Sequence, residues 1–513
     1  MTFPAGHVDL NLSRGIRCAA ARAGNKVSLH FEQESLRYDE LVRRINRTAN
    51  VAAAFGLATG DIVALLAPNC IEYVEIVSGL SDQGVCVATL NPHLTGVELE
   101  AIFEDCRPRL IIAHSSTRHL ISDERARSVK VVMIGDEWEA MLAQASDRFT
   151  LPRVSEQDSF SISYTSGTTG RPKGVMLTHR GRSLAFLVMQ AEYGCFGYKD
   201  HFLSLSPQYH GAGFAFCYAP LTFGGTCTVI GRYDPEVILA RLGQGDIDGV
   251  FMVPTHFHRM LDLPAETLAR WRDTHRLRTI ISNAAALPQA TKERVIAYFG
   301  EGLLNESYGS TESGFVLNIR PEDHLRKPNS VGRPFVNMQV ELRDEAGDPV
   351  ADGTPGELFA RGPMTFNGYL NRPEETAEAL RPDGWTTVGD MAVRDEEGFH
   401  YIVDRKKDMV VSGGINVYPR EIEDVLARMA GVSEVAVVGE PDAEWGERLH
   451  AFIVAAPGER PSVDDIIAGC RAELAGFKVP RVVSFIDELP RNASGKIVKR
   501  DLRQRAIDLA TAG

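Results

Sequence analysis

From about Tyr38 onward the chain alternates between two hydrophobic periods. DIVALLAP (61–68) is a short apolar run, CIEYVEIVSGLSDQG (70–84) repeats apolar residues at helical spacing, and VCVATLNP (85–92) returns to a short apolar run. Short apolar runs between amphipathic helices predict βαβ units and parallel sheet. The alternation continues through TGVELEAIFEDC (95–106) and RLIIAHS (109–115), then through TCTVIGRYDPEVILARL (226–242) and DGVFMVP (248–254). An α/β body of stacked lobes is expected.

Between residues 344 and 362 the texture changes to short β-type pieces broken by Gly, Pro and Asp, which predicts a small β unit closing the large domain. After HYIVD comes the charged stretch DRKKD (404–408), which lacks apolar periodicity, and a domain boundary is placed there. Beyond it a helix opens with Pro419 in its first turn and carries Ile422, Val425, Leu426 and Met429 on one face. The strands SEVAVVGE and HAFIVAA follow, then a helix capped by Ser462 with Asp465 three residues on, then VVSFIDELP. The expected fold class is α/β: a large N-terminal domain of stacked βαβ-type lobes plus a small β unit (1–406), followed by a small, mobile α+β C-terminal domain (407–513).

Composition narrows the partners. At 513 residues the chain exceeds one compact core, and 44% hydrophobic with 24% charged residues is ordinary for a globular protein. A net charge of −13 offers no basic face to nucleic acid and is repelled by anionic membrane surfaces, which favours small-molecule chemistry. The eight cysteines show no Cys-x-x-Cys pair or framework spacing and read as reduced, mostly buried residues. With no signal-like N-terminus and no membrane-length apolar run, the cytoplasm is the expected compartment and no integral membrane association is expected.

The run YTSGTTGRPKG (164–174) concentrates candidate chemistry. Ser166, Thr168 and Thr169 offer hydroxyls, Gly167 and Gly170 free the backbone to approach phosphate oxygens, and Lys173 adds a positive charge. A triphosphate suits this set, although a solvated polar loop has the same composition. The Walker loop is excluded, because Pro172 precedes the lysine and Gly174 follows it where Ser or Thr is needed.

Four further segments follow in order: SYGSTE (307–312), GWTTVGD (384–390), DRKKDMVVSGGINVYPREIE (404–423) and PRNASGKIVKR (490–500). Together with the glycine loop they resemble the core motifs of the AMP-forming acyl-CoA synthetase, or adenylate-forming, superfamily, over nearly the whole chain. The resemblance implies an enzyme that joins a carboxylate to ATP as an acyl-adenylate with release of pyrophosphate, then transfers the acyl group to CoA. ATP, Mg²⁺ and CoA are the implied cofactor and co-substrates. Because the substrate carboxylate is already ionised at neutral pH, the first step needs charge neutralisation and alignment rather than a general base.

The roles carried over are these. Thr165, Ser166, Gly167, Thr168, Thr169, Gly170 and Lys173 correspond to the residues holding the β- and γ-phosphates. Tyr308, followed by Gly309, corresponds to the aromatic that stacks on adenine, Thr311 to the hydroxyl on the α-phosphate, and Glu312 to the Mg²⁺ ligand. Asp390 corresponds to the acceptor for the ribose hydroxyls and Arg405 to a second ribose or phosphate contact. Lys496 corresponds to the lysine that bridges the acyl carboxylate and the α-phosphate and stabilises the in-line transition state. For the second half-reaction the resemblance implies rotation of the small domain about Lys407, which withdraws Lys496 and brings Gly413 and Gly414 to the pantetheine path. Trp445 and Phe477 are candidate surfaces for the CoA adenine, and Lys478 and Arg481 for its phosphates. As isolated residues, Lys496, Asp390 and Arg405 read rather as a turn lysine, a turn cap and a surface ion-pair partner, and the accompanying motifs reverse that preference.

The acyl site is read from three places. Gly309 stands where the acetate-activating branch has a tryptophan, so a larger acyl group is expected to fit. QYHGAGF (208–214) resembles the acyl-site motif with His210, and no Asp beside His210 offers itself to an ammonium group. Glu306 and Ser307 leave no arginine at that point for a second carboxylate, which disfavours malonate-like diacids. SNAAALP (282–288) departs from the Gly-rich segment of relatives and puts Asn283 near the acyl entrance, either as a polar handle for a ring system or bonded to its own loop. The expected substrate is a bulky hydrophobic carboxylate: medium- or long-chain, alicyclic, steroid-derived or aryl. Delivery to a carrier protein, and a non-catalytic nucleotide-binding homologue, are the alternatives, and a homodimer is an admissible assembly. His256 and His258 form an HxH pair without a third ligand at convincing spacing and are expected to serve packing.

Overall fold

The computed structural model describes residues 9–150, 152, 154–165, 172–412, 415–442, 445–459, 461–491 and 497–512. It is a mixed α/β protein, and the chain divides into two compact units. The first comprises 1–340 with 360–386 and the second 341–359 with 387–513.

The first unit holds two sheets. In the six-stranded sheet, Lys130–Met133, Leu110–Ala113, Ile62–Leu66, Cys86–Leu90 and Ser159–Thr165 run parallel, and Lys173–Thr178 returns antiparallel at the edge. The nine-stranded sheet has a parallel centre of Leu304–Ser310, Thr279–Ser282, Gly249–Met252, His201–Ser204, Thr226–Val229 and Val27–Phe31. Ile62–Leu66, Cys86–Leu90, Leu110–Ala113, Thr226–Val229 and Gly249–Met252 are the short apolar runs of the sequence. They are buried along most of their length, as strands covered on both faces must be.

One helix departs from its sequence pattern. Glu72–Asp82, amphipathic by spacing, is buried on every side, including Glu75 and Asp82. Arginines make that burial tolerable. Arg44 Nη2 donates to Glu75 Oε1 at 2.8 Å alongside Trp138 Nε1 at 2.9 Å, and Arg17 Nη2 meets Asp82 at 2.6 Å with the Ser13 hydroxyl at 2.7 Å. The helix packs on Gly211–Phe223, where the Tyr218 hydroxyl donates to the Val74 carbonyl at 2.9 Å.

In the second unit, Gln339–Arg343, Gly356–Arg361, Asp390–Arg394 and His400–Arg405 form a four-stranded sheet, whose first two strands cross the unit boundary. A five-stranded sheet, with Val432–Asp442 beside Gly446–Ala455 at its centre, carries the helices Pro419–Leu426 and Val463–Glu473. Ile422, Val425 and Leu426 face its core, and Ser462 and Asp465 form the expected capping box.

Candidate active site

The strand Leu304–Ser310 turns back into Gly314–Ile319, and a register shift between Tyr308 and Gly309 breaks the ladder there. A Cβ on Gly309 would lie 2.0 Å from the Gly314 carbonyl oxygen, so the bulge admits glycine alone. Close backbone approach is thus a second reason for this glycine, beside the room it leaves. The bulge leaves Tyr308 and Thr311 partly exposed and draws the side chain of Glu312 inward.

Glu312 Oε1 accepts the Tyr369 hydroxyl at 2.8 Å, and Lys173 Nζ stands 5.1 Å from the centre of the Tyr369 ring. Lys173, Tyr369 and Glu312 therefore form one connected group. Burial, then the neighbouring Glu312 carboxylate, pushes the Tyr369 phenol well above its ordinary pKa, so it remains a donor. Tyr369 was not singled out from the sequence, because a single tyrosine in FNGYLN carries no local signal of its role. Among the described residues nothing bonds Glu312 Oε2. One carboxylate oxygen held in place and one left open fits Mg²⁺, which takes one or two protein carboxylates and completes its shell with phosphate and water.

Thr165 pairs with Lys173 across the mouth of the glycine loop. Ser166, Gly167, Thr168, Thr169 and Gly170 lie outside the described residues. Lys173 opens a strand, Lys173–Thr178, where a Walker lysine would open a helix.

His210 precedes the helix Gly211–Phe223, and its ring lies 4.7 Å from that of Tyr209. Its loop is fixed by the buried Gln208, whose N–H donates to Asn69 Oδ1 at 2.7 Å and whose Oε1 accepts the Cys70 N–H at 3.0 Å. Asn283 bonds within its surroundings. Its amide donates to the Ser307 carbonyl at 2.9 Å and hydroxyl at 2.8 Å, and its Oδ1 accepts the Ala284 N–H at 2.5 Å. Ala284 sits at φ +75°, a conformation that costs a non-glycine residue energy. Glu306 holds the far end of the segment: its Oε1 accepts the Leu287 N–H at 2.8 Å and its Oε2 lies 2.6 Å from Lys292 Nζ, both side chains being buried.

In the second unit, Asp390 and Arg405 face one another across antiparallel strands, with Arg405 Nε 3.4 Å from Asp390 Oδ1. The aspartate is nearly buried and the guanidinium half exposed. Lys407 lies in the 3₁₀ turn Lys406–Asp408. Gly413, Gly414 and Lys496 lie outside the described residues. The Arg481 guanidinium stacks 4.4 Å over Trp445, while exposed Phe477 lies 5.8 Å from Lys478 Nζ, which also pairs with Glu421 at 2.6 Å.

The two histidines of the HxH pair have protein partners. Tyr233 stacks on His256 at 4.2 Å, burial lowers the His256 pKa to about 4, and His258 Nε2 lies 3.4 Å from the Thr291 hydroxyl.

Known proteins resemble this chain over nearly its whole length. Residues 16–370 match the family described as AMP-binding enzyme, and 421–496 match the AMP-binding enzyme C-terminal domain. A feruloyl-CoA synthase from Amycolatopsis sp is 36% identical over 476 residues, covering 92% of this chain and 94% of its own. A 3-[(3aS,4S,7aS)-7a-methyl-1,5-dioxo-octahydro-1H-inden-4-yl]propanoyl:CoA ligase from Rhodococcus jostii is 32% identical, covering 95% and 97%. The crystal structure of ATP-bound MatB from Rhodopseudomonas palustris superposes with a TM-score of 0.90 at 31% identity, covering 98% of this chain and all of that one. The chain belongs to the AMP-binding, adenylate-forming enzyme family.

Proposed function

We propose that the chain is an AMP-forming carboxylic acid–CoA ligase for a bulky, largely hydrophobic acid. Relatives named as acyl- and aryl-CoA ligases along nearly the full length support the reaction, and those named for feruloyl and for a bicyclic propanoyl group favour an acid with a ring system. The observation that carries the reading is the Lys173–Tyr369–Glu312 group beside the Tyr308 bulge, a cation near a carboxylate with one oxygen open, which suits a triphosphate and its metal.

In the first step a substrate carboxylate oxygen bonds to the α-phosphorus of ATP while the bond to pyrophosphate breaks. Lys173, the glycine loop and Lys496 offset the phosphate charge, Thr311 holds the α-phosphate, and Tyr308 fixes the adenine. Mg²⁺, when bound, neutralises triphosphate charge, and Glu312 is the residue assigned to hold it. Asp390 and Arg405 are assigned to the ribose. In the second step the CoA sulfur bonds to the acyl carbon and AMP leaves, with Gly413 and Gly414 assigned to the pantetheine arm and Trp445 and Arg481 to the CoA nucleotide. Lys407 is assigned as the hinge between the steps.

Pyrophosphate release and loss of CoA thiol, measured together across octanoate, palmitate, benzoate, a cyclohexane carboxylate and a steroid side-chain acid, test the proposal. Coupled loss with one class fixes reaction and substrate. Pyrophosphate release without thiol loss redirects the acyl group to a carrier protein, and silence across the panel favours a non-catalytic homologue.

A further inference from the structure

Arg182 lies on the helix His179–Tyr193, soon after Lys173. Its Nη1 reaches the Gly211 carbonyl at 3.4 Å, a Cβ on Gly211 would sit 4.0 Å from Nη2, and the guanidinium carbon stands 5.6 Å from the centre of the Phe214 ring. The side chain keeps partial access to solvent, yet no carboxylate among the described residues pairs with it. Burial alone lowers its pKa to about 10, with no acidic neighbour to raise it, and it remains cationic at neutral pH. Arg17, Arg44, Arg180 and Arg320 each close on an acid: Asp82, Glu75, Glu156 and Glu192. A crowded cation without a counter-charge is destabilising, and functional sites are where such groups persist.

Its surroundings indicate what it meets. Gly211 opens the helix that follows His210, and the His210 side chain does not cap that helix, so the positive end of the helix adds to the guanidinium charge. Phe214 stacks on Tyr218 at 4.1 Å and lies 5.7 Å from Phe160, which makes the adjacent wall aromatic. We infer that Arg182 receives a second anionic group, such as a carboxylate, carried by the acyl substrate on an otherwise apolar body and remote from the carboxylate that is activated.

This rests on the acid-activating reading above and narrows it from bulky hydrophobic acids to those with a distal acidic group. A short diacid remains disfavoured, because Glu306 and its partner Lys292 satisfy one another. A phosphate of ATP or CoA is the other source of the same charge. The contacts of Arg182 favour the acid, since they are an aromatic ring and a glycine, whereas the triphosphate residues gather at Thr165, Lys173 and Glu312.

The test uses arylalkanoic acids of three lengths, each bearing a distal carboxylate and compared with its carboxamide twin. Wild-type enzyme is expected to prefer the dicarboxylates by about tenfold or more in kcat/KM for pyrophosphate release, and Arg182→Gln to bring that ratio close to one. No preference in wild type, or equal loss on both twins in the variant, overturns the inference. A rise in KM for ATP or CoA with a carboxamide acid also overturns it, because the anion would then be a phosphate. If none of the acids releases pyrophosphate, the ligase reading fails and binding decides the subsite. A dicarboxylate-induced rise in thermal midpoint that Arg182→Gln erases upholds the subsite, and an equal rise in both proteins removes it. Arg182→Leu is expected to hold or raise the midpoint without ligand; a clear fall would assign the arginine to structure instead.

Discussion

Lys292 and Arg182 are both cations drawn inward in the first unit, and the protein treats them in opposite ways. Lys292 is 2% exposed and meets Glu306 at 2.6 Å, and Glu306 gives its other oxygen to the Leu287 N–H, so each charge is matched. Arg182 has a carbonyl and a ring. The carboxylates divide similarly, for Glu306 uses both oxygens while Glu312 bonds Tyr369 through one and leaves the other open. Complete matching suits a charge that holds the fold, and incomplete matching is what the ligand roles proposed for Arg182 and Glu312 require.

The largest effect expected from this contrast is on stability. Lys292→Met leaves Glu306 buried without its counter-charge and should cost about 3–5 kcal/mol, read from urea unfolding. The double variant Lys292→Met with Glu306→Gln should recover most of that loss, because no charge is then stranded. A single variant as stable as wild type would break the comparison at its first term. Glu312→Gln should behave conversely. It keeps an acceptor for Tyr369 and should change stability by under about 1 kcal/mol, yet lower kcat/KM for pyrophosphate release by roughly 10²–10³. Equal effects on folding and activity would show that Glu312 belongs with Glu306.

Much of this was legible in the sequence. The strands at 62–66, 86–90, 110–113, 226–229 and 249–252 coincide with the short apolar runs, because strands buried on both faces are written as uninterrupted hydrophobics. The motif glycines and acids stood out because their spacing is local. Tyr369, Lys292 and Arg182 did not, since each acquires its role from a partner far along the chain: Glu312, Glu306 and Gly211. The helix Glu72–Asp82 was misleading for the same reason. Its polar positions indicate a solvent face until distant Arg17 and Arg44 are seen to cover them.

A buried base has a third way to tolerate burial, which a guanidinium lacks: it can give up its proton. His179 is 1% exposed, burial lowers its pKa to about 4, and its Nδ1 accepts the Leu12 N–H at 3.1 Å, a bond that needs the neutral ring. With an unfolded pKa near 6.5, the unfolded chain takes up a proton between those values that the folded chain excludes. Stability should therefore be flat above about pH 7 and fall as pH drops toward 4, by roughly 1 kcal/mol at pH 5.5 from this histidine alone. His179→Gln, compared with wild type by urea unfolding at pH 7 and 5.5, should show a shallower acid loss. An unchanged slope would mean that the ring is protonated in place.

The smallest expected effect tests how firmly the matched pair holds its loop. Glu306 anchors Leu287, Asn283 is bonded to Ser307, and between these ties Ala284 is held at φ +75°. Glycine takes that conformation without strain, whereas alanine pays roughly 1–2 kcal/mol for it. The gain from Ala284→Gly is offset in part by the greater freedom glycine has in the unfolded chain, about 0.4–1 kcal/mol. A net stabilisation of about 0.5 kcal/mol is expected, visible as a small rise in the urea midpoint. In Lys292→Met, where Glu306 loses the cation that fixes it, the loop can relax and the same substitution should gain less. If Ala284→Gly stabilises both backgrounds equally, the anchor and the strain are independent, and the matched pair does not extend its hold to the 283–287 loop.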